Sequence, residues 1–196
     1  MPQLGPVRSI CVFCGARAGN DSAYAHAARA TAHALADRNL NLVYGGGNVG
    51  LMGILADAAL ERAVHVTGVI PVSMVKTELA HKRIQRLITV ESMHERKAIM
   101  ARECDAIIVL PGGVGTLDEL FEAMTWNQLR LQRKPIGILD LPGPAGGFYD
   151  ALFGFLRHAQ DQGFVIPTTM QLVVRAQSPA ALVDQVIAMG TPAQPA

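Results

Sequence analysis

Ala106-Ile107-Ile108-Val109-Leu110-Pro111-Gly112-Gly113-Val114-Gly115-Thr116-Leu117-Asp118-Glu119 is the stretch that decides how this chain folds. Five apolar residues lead into a proline and three glycines, and a helical pattern from Leu117 to Leu131 leads out. This predicts a strand, a glycine turn and the start of a helix. Glycines take away the Cβ atoms that keep an anion from backbone N–H groups. A helix N-terminus adds free donors and the positive end of a dipole. The combination is an anion cradle, most often for phosphate. Glu119, on the first turn of the expected helix, is an acid that a simple phosphate grip does not need, so it points to chemistry beside the phosphate.

The same alternation extends in both directions. Apolar runs at Ser9–Phe13, Asn41–Tyr44, Val64–Ile70, Leu87–Val90, Pro135–Leu139 and Gln171–Val174 predict further strands. Helical patterns lie between them: Ser22 to Arg38, capped by Ser22 or Asp21, Leu51 to Arg62, Met93 to Glu103, capped by Ser92, Phe148 to Gln162, and Pro179 to Met189. Val72 to Arg83 is expected as loop with a short helix, and Leu141 to Gly147 as a Pro/Gly loop. Strands that are apolar throughout belong to parallel sheets covered on both faces. The expected fold is therefore α/β: a Rossmann-like, doubly wound, mostly parallel sheet with helices on both faces, in a single domain over residues 1–196 with its core at 8–188. Ligands of such sheets sit beyond the carboxyl ends of the strands. Four loops should converge there, beginning at Cys14, Gly45, Pro71 and Pro111.

Bulk composition narrows the function. Of the 196 residues, half are hydrophobic and 17% charged, which is a globular balance. A formal net charge of +1 gives no support for nucleic-acid binding. There is no apolar run of about 18 residues, so no membrane span is expected. The N-terminus lacks a signal-peptide apolar region, which makes the cytoplasm the default. Cys11 and Cys14 form a C-x-x-C, but along a strand residues three apart face opposite sides. The pair reads as buried structural thiols, and Cys104 is the third cysteine. The histidines show no metal spacing. Met52, Met93, Met100 and Met124 read as fillers of core or interface gaps.

Gly45-Gly46-Gly47-Asn48-Val49-Gly50 matches the dinucleotide fingerprint in letters. However, it follows the second strand, and no acid stands at the end of the next strand to hold a ribose. The preferred reading is that the amides of Gly45, Gly46 and Gly47 face a nucleotide without forming a full cofactor site. At Pro111–Glu119 two readings stay open. Thr116 can cap the helix with Glu119 as its capping-box acid, three residues on, or Thr116 can donate to phosphate with Glu119 in the chemistry. Arg96 and Lys97 fall on a helix start at the same sheet edge, where an Arg can fork onto phosphate or hold a carboxylate.

These residues resemble the LOG ("Lonely guy") family, the cytokinin riboside 5′-monophosphate phosphoribohydrolases long mislabelled as lysine decarboxylases. Pro111–Glu119 is similar to the family's P-G-G-x-G-T-x-x-E motif. Tyr44-Gly45-Gly46-Gly47, Val49-Gly50-Leu51-Met52-Gly53, Gly68-Val69-Ile70-Pro71, Met93-His94-Glu95-Arg96-Lys97 and Gly147-Phe148-Tyr149-Asp150 match its other runs. The likeness spans about residues 8 to 188. It implies hydrolysis of the N-glycosidic bond of a nucleoside 5′-monophosphate, to free base and ribose 5-phosphate. It further implies Arg96 and Glu119 as the catalytic pair. Glu78, Lys97, Gly112, Gly113, Gly115, Thr116, Asp118 and Thr125 fall on substrate-binding positions. A homodimer with sites near its interface is implied, and no cofactor or metal. Cytokinin ribotides are the expected substrates, with AMP as a further candidate; a nucleotide-binding module without turnover is the alternative. Two departures concern substrate choice: Ala16-Arg17 replaces the family's Ser-Ser, and Asp140 stands where Asn is usual.

Overall fold

A computed structural model describes residues 6–75, 80–144 and 146–190. In chain order the elements are β1 (Ser9–Phe13), α1 (Ser22–Ala36), β2 (Asn41–Tyr44), α2 (Gly50–Glu61), β3 (Val66–Pro71), β4 (Arg86–Val90), α3 (Met93–Arg102), β5 (Ala106–Val109), α4 (Val114–Gln128), β6 (Ile136–Leu139), β7 (Pro142–Gly143), β8 (Gly146–Gly147), α5 (Asp150–Asp161), β9 (Val173–Ala176) and α6 (Pro179–Gly190). Short 3-10 turns occupy Val72–Met74 and Pro167–Met170. Among the described residues no helix is long and apolar enough to cross a membrane.

Seven strands form one parallel sheet in the order β4-β3-β2-β1-β5-β6-β9. From β1 the chain winds outward to β4, and α3 then carries it back to β5 on the other side of β1. The order reverses between β1 and β5, and a crevice opens at such a reversal. The doubly wound expectation holds. Strand residues alternate between two cores. Ile10, Val12, Ala106 and Ile108 pack with α1, α2 and α6, whereas Cys11, Phe13, Ile107 and Val109 pack with α3, α4 and α5. Cys11 and Cys14 lie in opposite cores, and none of the three buried cysteines is in a disulfide.

Asp21, not Ser22, caps α1, accepting from the Ala23 N–H at 2.8 Å. Ser92 caps α3, accepting from Glu95 N–H at 3.1 Å. The Pro/Gly loop after β6 contains the two-residue ribbon β7–β8, and the last strand starts two residues later than expected, at Val173.

The correction that matters is at α4. The helix starts at Val114, with Gly113 as its extended N-cap. Thr116 is therefore the third helical residue, and Glu119 stands in the second turn. A capping box needs its Thr outside the helix, so that reading is overturned. At the other end, Arg130 adopts a left-handed φ of 60° and α4 stops at Gln128, short of Leu131.

Candidate active site

A cavity of about 460 Å³ opens at the β1/β5 reversal. Its walls come from the loop after β1, the N-terminus of α2, the turn after β3, the start of α3, the Pro111–Gly115 loop and the first turns of α4. The loops after β1 and β5 are laced together, the Gly15 N–H donating to the Pro111 carbonyl at 3.1 Å.

The glycines of the α4 loop differ in what they serve. A Cβ on Gly112 would lie 2.1 Å from Thr116 Oγ1, so this glycine makes room for the buried Thr116 side chain folded over it. Cβ atoms on Gly113 or Gly115 would meet nothing within 4 Å. Protein packing does not demand those two glycines, and they leave the first N–H groups of α4 open to the cavity, as an anion cradle requires.

Arg96 rises from the first turn of α3 and is 4% exposed. A buried guanidinium needs partners. Nε donates to the Val69 carbonyl at 3.0 Å and Nη2 to the Gly45 carbonyl at 2.7 Å. Met74 and Met93 sulfurs stand 3.9 and 3.7 Å from Nη1. Strand ends β3 and β2 thus hold the cation on the cavity wall. A Cβ at Gly45 would fall 2.1 Å from Nη2, so the glycine is needed for Arg96 to dock. This changes the reading of the second glycine loop. Gly45, Gly46 and Gly47 are buried and are not on the cavity wall. Gly45 supports Arg96, the Gly46 carbonyl accepts from His81 N–H, and Gly47 bridges to Ala80.

Glu119 lines the same cavity, together with Asp118, Thr116 and Gly112. Burial first, then a hydrogen bond with Cys104 and the Glu119 charge, push the Cys11 thiol well above its ordinary pKa.

Two other expected site residues, Lys97 and Thr125, are not on the wall of this cavity. Lys97 bridges to α4, donating to Asp118 at 3.0 Å and reaching Glu122 at 3.1 Å. Burial works to lower its pKa, but the two carboxylates outweigh that and hold it above the usual lysine value. Lys97 ties α3 to α4 and does not reach the cavity. Thr125 is exposed, its hydroxyl donating to the Phe121 carbonyl at 2.7 Å within α4. Glu78 lies outside the described residues.

Sequence reasoning missed the apolar wall. Leu51, Met52, Met74, Met93, Tyr24 and Phe148 all face the cavity. Met52 and Met93, expected as core or interface fillers, are wall residues. The signal was their position, Met52 just after a glycine loop and Met93 one turn before Arg96. For Tyr24 and Phe148, edge to face at 5.7 Å, there was no local signal, because α1 and the loop after β8 meet only in the fold.

A family model described as "Possible lysine decarboxylase" matches residues 52–186. The cytokinin riboside 5′-monophosphate phosphoribohydrolase LOG2 of Arabidopsis thaliana is 47% identical over 177 residues, covering 90% of this chain and 81% of that protein. A probable enzyme of the same description from Oryza sativa subsp. japonica, LOGL5, is 44% identical over 175 residues, covering 89% and 70%. Among solved structures, the molybdenum cofactor binding protein of Rippkaea orientalis superimposes with a TM-score of 0.67 at 20% identity, over 95% of this chain and 98% of that one. The molybdenum cofactor carrier protein of Chlamydomonas reinhardtii does so at 0.67 and 22%, over 92% and 98%. At those identities the likeness is one of fold. With its motifs, its match to the family model and relatives of this identity along nearly its whole length, the chain belongs to the LOG family.

Proposed function

We propose that this protein is a phosphoribohydrolase that cleaves cytokinin riboside 5′-monophosphates, and AMP, with water to give free base and ribose 5-phosphate. The observation that carries the reading is one cavity holding an open glycine cradle, a buried Arg96 and the Glu119 carboxylate. The 5′-phosphate sits on the N–H groups of Gly113 and Gly115 and the α4 dipole, with Thr116 beside it. Binding energy from the phosphate positions the sugar. Cleavage passes through an oxocarbenium-like state, and Glu119 stabilises the positive sugar and orients or deprotonates the water. Arg96, fixed by two carbonyls, holds its charge beside the reacting centre without reorganising. The sulfur-lined wall of Met52, Met74 and Met93 offers an apolar face to the base.

The decarboxylase description fits the residues less well. Schiff-base chemistry needs a lysine at the site, and among the described residues no lysine lines the cavity. Lys97 is held by two carboxylates and Lys134 by the Ala101 and Cys104 carbonyls.

The working unit is a homodimer. What supports this is α4 with its C-cap, where Val114, Phe121 and the C-cap Leu129 are large, apolar and exposed along one stripe. Thr125 lies on that stripe, which would place it at the subunit boundary beside the site. The setting is the cytoplasm, where free thiols are the ordinary state. Incubation with N6-isopentenyl-AMP and with AMP, followed by chromatography, tests the reading: free base and ribose 5-phosphate should appear in equal amounts. Nucleotide binding with no base released from either would overturn it in favour of a binding module.

A further inference from the structure

The loop that carries the family's Ser-Ser is here Ala16-Arg17, and its geometry gives the substitution a role. Three fixed contacts hold the loop. The Gly15 N–H bonds the Pro111 carbonyl, and the Leu51 N–H bonds the Gly15 carbonyl, each at 3.1 Å. At Gly50, whose φ is +55°, a Cβ would lie 2.4 Å from the Ala16 carbonyl, so the chain passes directly against α2. A Cβ at Gly15 would stand 2.9 Å from the Arg17 carbonyl and 3.5 Å from the Gly112 Cα. Arg17 and the first glycine of the cradle therefore flank the same point. Its side chain is exposed and on the cavity wall.

Charge then decides. A phosphate monoester carries about −1.5 to −2 near neutral pH, and a helix N-terminus offers only about +0.5. Among the charged side chains on the wall, Asp118 is committed to Lys97 and Glu119 is itself negative. Arg96 has two donors spent on carbonyls at the far strand ends. Arg17 forms no ion pair among the described residues.

We propose that Arg17 is the side-chain anchor of the 5′-phosphate, closing the cradle from the β1 side and selecting nucleotides over unphosphorylated ribosides. This rests on the phosphoribohydrolase reading for its substrate, though not for its anion. A guanidinium fork matches two phosphate oxygens, whereas the serine hydroxyls it replaces would bring no charge. The contact is made equally before and during bond cleavage, so it acts as uniform binding.

The test compares wild type with Arg17→Ala, Arg17→Ser and Arg17→Lys. Steady-state base release is followed from N6-isopentenyl-AMP and from its riboside, and ribose 5-phosphate binding by calorimetry. Arg17→Ala should raise KM for the nucleotide about 10- to 100-fold, the loss falling on KM rather than kcat. Ribose 5-phosphate affinity should fall by a similar factor, with Arg17→Lys recovering part of it. Preference for nucleotide over riboside should shrink accordingly. Equal KM values and ribose 5-phosphate affinities within about twofold in wild type and Arg17→Ala would overturn the proposal. Calorimetry separates the two readings. Arg17-dependent ribose 5-phosphate binding without base release would sink the hydrolase and keep the anchor. Base release indifferent to Arg17 would do the reverse.

Discussion

Gly112 and Gly113 are neighbours in sequence but answer to different demands, and substitution should separate them. Gly112→Ala drives a methyl group into Thr116, a buried β-branched side chain with little rotameric freedom. It should cost about 1–3 kcal/mol, as overpacking does, and lower Tm. Gly113→Ala meets no protein atom and keeps an ordinary φ of −101°. Its stability cost should stay below about 1 kcal/mol, the loss of a good N-cap residue. The methyl group instead obstructs the anion, so KM for the nucleotide should rise. Thermal melts and kinetics on the pair check both halves; a Gly113→Ala protein with unchanged KM would move the phosphate elsewhere. The meeting of the glycine motif, Arg96 and Glu119 at one sheet edge was legible because each is a residue type set in a local pattern. The support that Gly45 gives Arg96 was not legible, because the two stand more than fifty residues apart in the chain and no local pattern records such a partner.

Elements were legible where periodicity and caps agreed. The bounds of β1 and β2 emerge as expected, and Ser92 caps α3. The start of α4 was obscured by a good cap residue, Thr116, with an acid three positions on. Gly113 outcompetes it by being extended immediately before two further residues that join the helix. Tertiary supports of the site were not legible at all. Asp140, at the end of β6, is fully buried and accepts from the Tyr149 N–H at 2.7 Å and from Arg175 Nε at 2.5 Å. Tyr149 in turn donates its hydroxyl to the Leu110 carbonyl at 2.7 Å, just before the cradle. Burial first, with the charges of Cys14 and Asp140, raises the Tyr149 pKa, so the phenol stays a donor. Asp140→Ala should destabilise by about 2–4 kcal/mol, somewhat less than the ~3–5 of a wholly buried pair because Arg175 is one-third exposed. Asp140→Asn, which keeps an acceptor for Tyr149, should lose less. Urea unfolding of the two variants checks the order.

Across the whole molecule, the reversal of strand order between β1 and β5 positions everything else. It sets the cradle, the Arg17 loop and the wall of Met52, Met74 and Met93 around one crevice. Alternation of strands and helices made that crevice predictable; Tyr24 and Phe148 on its apolar wall, which meet only in the fold, were not. The exposed α4 stripe belongs to this scale as well. Light scattering should give twice the chain mass for the wild type, and Phe121→Glu with Leu129→Asp should give a monomer that remains folded by circular dichroism. A dimer untouched by both changes would put the interface elsewhere.

Glu119 is proposed to do chemistry on a nucleotide that the adjacent loop holds. Base release from N6-isopentenyl-AMP by wild type and Glu119→Gln tests it most directly, because the amide keeps the shape and removes the charge. Wild type should yield free base and ribose 5-phosphate, with Glu119→Gln slower by at least about 10²-fold at an unchanged Tm. Release at the wild-type rate from Glu119→Gln would contradict the account.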